Sequence, residues 1–235
     1  MRIPHLNRTT IKYIVAAAML SDHIAWAFVP TRSAAGIIMH FIGRLAGPTM
    51  AFFLAEGYLH TKNKKKYAAR LGLFALISWV PFSLFETLRW PTAHFGVIYT
   101  LFLGFLAAWA WEELPGGNRV KGLAVTILCG LSVFGDWPVF DVLWPLFLVI
   151  YKDDKKARLT SFAIIYIFAY LYAVVVSRMW QAAIYNLGLF VVAAVAAFVY
   201  DGSPGSRRPF HKWFFYVFYP AHLAVLAAIL IHIYR

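Results

Sequence analysis

Two pairs of ionisable residues stand inside long apolar stretches of this 235-residue chain: adjacent Asp22-His23, then His40 and Arg44 four positions apart. Charged or titratable groups are costly inside a membrane, so each is a functional candidate until it is paired or placed at an interface. A histidine held among acidic and basic partners can serve as general base near neutral pH. An arginine beside it can bind a phosphate or a developing oxyanion. Neighbours on a helix point about 100° apart, so Asp22 and His23 need not bond each other, whereas His40 and Arg44 share a face. The structural alternative is that Asp22 merely neutralises Arg44. Both readings can hold at once, because an ion pair can orient an imidazole.

Further along, Glu56 and His60 are again four apart, and a dense basic run follows: His60-Thr61-Lys62-Asn63-Lys64-Lys65-Lys66-Tyr67-Ala68-Ala69-Arg70. That run suits lipid headgroups or the phosphates of a polyphosphorylated cofactor. Near the C-terminus, Tyr219 and His222 share a helical face beside Pro220, which removes the hydrogen bond to the Tyr216 carbonyl. The segment Gly43-Arg44-Leu45-Ala46-Gly47-Pro48 lets a helix or ligand approach the backbone closely. No P-loop, HExxH, G-x-S-x-G, CxxC or GxGxxG occurs, and no His or acidic residues show zinc-ligand spacing, so no metal is expected. The single cysteine, Cys129, cannot form an internal disulfide.

The elements that position these residues follow from composition. Apolar residues make up 62% of the chain and charged residues 14%, which excludes both an ordinary soluble domain and a disordered chain. Apolar runs recur at Ile11–Val29, Gly36–Tyr58, Leu71–Phe85, Phe95–Trp111, Gly122–Phe134, Val139–Tyr151, Leu159–Val176, Gln181–Tyr200 and Trp213–Tyr234. The first lacks a small-x-small cleavage site and reads as a retained span. Without strand alternation, backbone satisfaction in lipid requires helices. The expected fold is an all-α polytopic bundle of about nine transmembrane helices in one domain, residues 1–235. The fifth and sixth runs are short, either two spans or one re-entrant hairpin around Gly135-Asp136-Trp137-Pro138.

The net charge of +12 then acquires a meaning. Seventeen of the 22 basic residues fall in alternate segments, and Arg32, Arg89, Arg178 and Arg235 occupy the others. This bias places the seventeen in the cytoplasm, the N-terminus inside and the C-terminus outside. The partner is therefore a lipid bilayer and not nucleic acid. Arg44 alone remains unexplained by topology.

Six ordered motifs carry a family resemblance. Met19-Leu20-Ser21-Asp22-His23-Ile24 resembles the M-L-x-D-H-I element of the TraX family, and Ile42-Gly43-Arg44-Leu45-Ala46-Gly47-Pro48 its I-G-R-x-A-x-P element. Glu56-Gly57-Tyr58 with His60-Thr61, Lys65-Lys66-Tyr67 with Arg70-Leu71, and Ile77-Ser78 with Pro81-Phe82 follow in the family's order. Phe215-Tyr216 with Tyr219-Pro220 and His222 resembles the C-terminal F-Y-x-x-Y-P-x-H element. Gly96 departs from the pattern, standing where an asparagine is common.

The family's named member acetylates the N-terminal amine of a conjugation pilin. The resemblance therefore implies a multi-pass acetyltransferase of the bacterial inner membrane, using cytoplasmic acetyl-CoA on a peptide, pilin-like or small amine or hydroxyl acceptor. Acyl transfer needs a base and an oxyanion donor. On this reading His23 is base or transient acyl carrier, Asp22 orients it and Arg44 stabilises negative charge. Glu56, His60, Lys64, Lys65, Lys66, Tyr67 and Arg70 face the CoA phosphates, and His40, Tyr219 and His222 line the acceptor site. The rival class is a proton-coupled transporter, for which intramembrane Asp, Arg and His residues and broken helices are also suited.

Overall fold

Polar side chains punctuate the chain into helices. Asn7 accepts from the Thr10 amide to start α1 (Arg8–Phe28), Ser33 from Gly36 to start α2 (Ala34–Gly43), and Asn63 from Lys66 to start α4 (Lys64–Thr87). The remaining helices are α3 (Ala46–His60), α5 (Val97–Glu113), α6 (Asn118–Leu131), α7 (Phe140–Ile150), α8 (Lys155–Ser177), α9 (Trp180–Tyr185), α10 (Gly188–Ala194) and α11 (Pro209–Tyr234). The computed structural model describes residues 5–90, 92–206 and 208–234. Arg2, Arg207 and Arg235, counted in the charge bias, lie outside them. Among the described residues the fold is all-α, with no strand.

Among the described residues, five stretches are long and apolar enough to cross a bilayer: Arg8–Phe28, Ala34–His60, Lys64–Thr87, Lys155–Ser177 and Pro209–Tyr234. These mark a helical membrane protein. Phe140–Ile150 and Trp180–Ala194 are shorter apolar helical stretches. The expected second run is divided into α2 and α3, and the eighth into α9 and α10 with a π-helical turn at Val195–Val199. The break anticipated around Gly135–Pro138 is present, between a 3-10 turn at Ser132–Phe134 and α7. At Gly96, the departure from the family pattern, α5 starts without any side-chain cap.

Packing divides the chain into two units. Met1–Met50 with Tyr166–Arg235 forms the first, and Ala51–Ile165 the second. In the first unit α1 packs on α2 and α11, while α2 also receives α9 and α10. Two glycines permit this closeness. A Cβ at Gly43 would come within 2.3 Å of the Asp22 side chain, and one at Gly188 within 2.1 Å of the Phe41 carbonyl.

In the second unit α5 is central, packed by α4, α6 and α7. Leu103, Ala107 and Val142 form a buried cluster against which Tyr99, Val125, Leu128 and Cys129 pack, so the lone cysteine is a packing residue. On α8, exposed Ile164, Ile167, Phe168, Leu171 and Val175 fall on one helical face. Such an apolar outer stripe suits lipid and would be unfavourable in water.

The contact between α5 and α7 yields a prediction. A Cβ at Gly104 would lie 2.4 Å from the Asp141 carbonyl, so Gly104→Val is expected to cost about 1–3 kcal/mol through overpacking. Gly122 has open space where a Cβ would go. Gly122→Ala should leave stability unchanged or raise it by up to about 1 kcal/mol. Thermal unfolding of the two variants in detergent checks the contrast.

Candidate functional site

Arg44 owes its position to a proline four residues later. Pro48 cannot donate a helical hydrogen bond, and its ring excludes the Arg44 carbonyl from continuing the helix. α2 therefore stops at Gly43, Arg44 becomes its C-cap, and Pro48 sits in the first turn of α3. From that cap the Arg44 Nη2 donates to Asp22 Oδ2 at 3.2 Å. One turn earlier on α2, His40 Nδ1 donates to Asp22 Oδ1 at 2.7 Å. One carboxylate of α1 thus gathers both candidate side chains from α2 and its cap.

An ionised carboxylate only accepts, which fixes the His40 proton on Nδ1 and leaves the lone pair of the neutral ring on Nε2. His40 is fully buried, and its Nε2 has no hydrogen-bond partner among the described residues. The ring packs between Trp26 and Tyr185, with centroids at 4.2 Å and 5.3 Å. The Arg44 guanidinium lies 5.4 Å over the Tyr185 ring.

His23 points elsewhere. Its Nδ1 meets His222 Nε2 at 2.9 Å, and His222 Nδ1 donates to the Phe218 carbonyl at 2.7 Å. A carbonyl can only accept, so neutral His222 offers Nε2 as acceptor and His23 supplies the hydrogen from Nδ1. The basic nitrogen of neutral His23 is then Nε2. Tyr219 is buried with its ring 6.4 Å from His23 and 5.8 Å from His222. His23 also interacts electrostatically with Asp22 and Arg44. The first unit therefore brings together Asp22, His23, His40, Arg44, Tyr219 and His222, and Asp22 bonds to His40 where direct orientation of His23 was expected.

In the second unit, the basic run sorts into different environments. Lys64 donates to Glu112 Oε2 at 2.9 Å and Glu113 Oε1 at 2.8 Å, and lies 4.3 Å over the Tyr58 ring. Tyr58 itself donates to Glu112 at 2.6 Å, and Lys152 reaches the other Glu112 oxygen at 3.1 Å. Lys65 and Lys66 are exposed. Tyr67 fills the space left by Gly57 and packs on Phe105, and the Arg70 guanidinium lies 5.3 Å from the Tyr67 ring. His60 Nδ1 donates to the Glu56 carbonyl at 2.8 Å.

Sequence reasoning misses Trp26 and Tyr185, which carry no signal apart from being aromatic. It also misses Glu112 and Glu113, the acids that hold Lys64. Asp141 was detectable as an acid inside an apolar run. It is fully buried, with Oδ2 accepting from Thr100 at 2.8 Å. Among the described residues no three His, Cys, Asp or Glu side chains converge as metal ligands.

A family model described as TraX protein matches residues 7–230, a span that includes every residue above. The chain belongs to the TraX family. This TraX chain is 30% identical over 235 residues to the Probable fimbrial assembly protein FimC, serogroup H1, of Dichelobacter nodosus, with 93% of each chain covered. No solved structure matches it.

The Glu112 cluster of this TraX protein makes acid stability testable. Partial burial opposes ionisation, but hydrogen bonds from Tyr58, Lys64 and Lys152 outweigh it and bring the carboxyl from 4.5 down to about 2. A depressed carboxyl pKa stabilises the fold above the unfolded value, and that contribution is lost as pH falls through the folded one. Unfolding midpoints should therefore drop between about pH 4.5 and pH 2, and Glu112→Gln should flatten that part of the profile. An unchanged slope in the variant would exclude Glu112 as the source.

Proposed function

We propose that this TraX protein is an acetyltransferase of the bacterial inner membrane that serves fimbrial or pilus assembly. It moves an acetyl group from cytoplasmic acetyl-CoA to an amine, a pilin-like N-terminus or another peptide or small amino acceptor, or to a hydroxyl. The proposed topology has nine crossings, the N-terminus in the cytoplasm and the C-terminus outside. The observation that carries the reading is the cluster in the first unit, two histidine–partner pairs and an arginine around one carboxylate. Family membership and the fimbrial assembly relative support it independently.

In this mechanism His23 is the reactive imidazole. Its hydrogen bond to His222 fixes the tautomer, so that Nε2 presents the lone pair to the acetyl group or to the attacking acceptor. Asp22 holds Arg44, whose guanidinium stabilises the thioester oxyanion as it forms. Tyr219, His222 and His40 line the acceptor side. Glu56, His60, Lys65, Lys66, Tyr67 and Arg70 are assigned to the donor's phosphates. Lys65 and Lys66 supply exposed charge, and Lys64 holds the segment to the acids of α5.

The test is acetyl transfer by the purified chain in detergent or nanodiscs. His23→Ala is expected to lower the rate by about 10²–10⁴, the usual contribution of a positioned acid–base group, with folding and acetyl-CoA binding retained. Full activity in that variant would remove His23 from the chemistry. Substrate flux in proteoliposomes without any acetyl transfer would instead favour a transporter.

A further inference from the structure

We propose that His40, held by Asp22, is the base that takes the first proton from the acceptor, and that the acceptor is an amine in its ammonium form. The proposal rests on the acetyltransferase reading and deepens it.

One atom of the cluster lacks a hydrogen-bond partner among the described residues. A buried acceptor without a hydrogen bond is costly to keep, and His40 Nε2 is such an atom on a fully buried ring. Its other nitrogen is committed to Asp22 at 2.7 Å. This arrangement both fixes the tautomer and prepares the carboxylate to stabilise an imidazolium once Nε2 is protonated. The flanking groups select the proton donor. Trp26 and Tyr185 both pack against the ring at tilted angles, and aromatic rings attract a cation more than a neutral hydroxyl. Trp26 is 46% exposed and Tyr185 is buried, so the acceptor reaches Nε2 by displacing the indole.

The charged and titratable groups facing His40 are Asp22 from α1, Arg44 from the end of α2 and Tyr185 from α9; α10 contributes none. Arg44 balances the resting charge of Asp22. Protonation of His40 therefore adds one positive charge to a neutral pair, next to the carboxylate best placed to receive it.

Proton accounting gives the second imidazole a separate task. An ammonium acceptor carries two protons more than the amide nitrogen that will replace it. The first passes to His40 Nε2, which frees the nitrogen lone pair. That lone pair forms the C–N bond at the thioester carbonyl, and the carbonyl electrons move to oxygen. Collapse reforms the C=O bond and breaks the C–S bond. The second proton passes through His23 to the departing thiolate, giving CoA as the thiol. His40 then releases its proton to solvent, so each turnover yields amide, thiol and one proton.

The test uses the whole chain in lipid nanodiscs with acetyl-CoA and two panels of short peptide amides covering every N-terminal residue. One panel has ordinary α-amines, which titrate near pH 8 (about 7.7–8.0); the other has weakly basic aminooxy termini that are neutral in the assay. Between about pH 7 and pH 8, where an ordinary imidazole is neutral, wild-type kcat/KM for α-amines should not rise with pH. A rise of about fivefold across that interval would mean that only the free amine reacts, which overturns the proposal. His40→Gln should lose about 10²–10⁴ in rate on α-amines and at least tenfold less on aminooxy acceptors. Equal losses on both panels would make His40 structural. If the variant does not fold, the wild-type profile still decides. Transfer to hydroxyl acceptors alone would overturn the amine assignment and keep the acetyltransferase, whereas wild type inactive on every acceptor would overturn both.

Discussion

One carboxylate organises the first unit. Asp22 receives His40 and Arg44 from different turns of α2, and this requires α1 and α2 to pass closely enough that position 43 has no room for a side chain. The requirement spreads outward. Arg44 can face Asp22 because Pro48 ends α2 at Gly43, and the end of α2 can accept the start of α10 because residue 188 is glycine. Apolar packing supplies most of the cohesion of such a bundle, but it does not specify where a charge goes. In a low-dielectric interior a lone Arg or Asp is too costly to keep, so their pairing fixes the helix register.

The same carboxylate divides the chemistry. Asp22 and His23 are adjacent, yet helical geometry sends them in different directions. Asp22 takes His40, and His23 takes His222 from α11, 199 residues away. The His40 tautomer is set by a carboxylate that can only accept, and the His23 tautomer through His222, whose own Nδ1 hydrogen goes to a backbone carbonyl. Two lone pairs result, both on Nε2. A reaction that must shed two protons from one nitrogen has use for both.

Much of this was legible before any coordinates. The D-H and G-R motifs, the Tyr219/His222 pair and the helical class were all visible in residue type and spacing. Pairing was not. Which histidine an acid reaches depends on the crossing of two helices, and that crossing is set by Gly43, a residue with no side chain to read. Lys64 is similar. In sequence it belongs with Lys65 and Lys66, but folding places it between Glu112 and Glu113, acids that lie 48 and 49 residues further on. The division of the second apolar run followed from Pro48, whereas the break at Asn186-Leu187 carried no proline and left no comparable signal.

A single ion pair ties the packing of α1 and α2 to the candidate reactive groups, and a double substitution separates these two roles. Asp22→Asn removes the carboxylate that holds Arg44 and His40 and should destabilise the protein by about 3–5 kcal/mol. Combining Asp22→Asn with Arg44→Gln removes both charges. Thermal unfolding of the double variant should return most of the way to wild type, while acetyl transfer stays lost. Wild-type stability and transfer in Asp22→Asn alone would contradict the account.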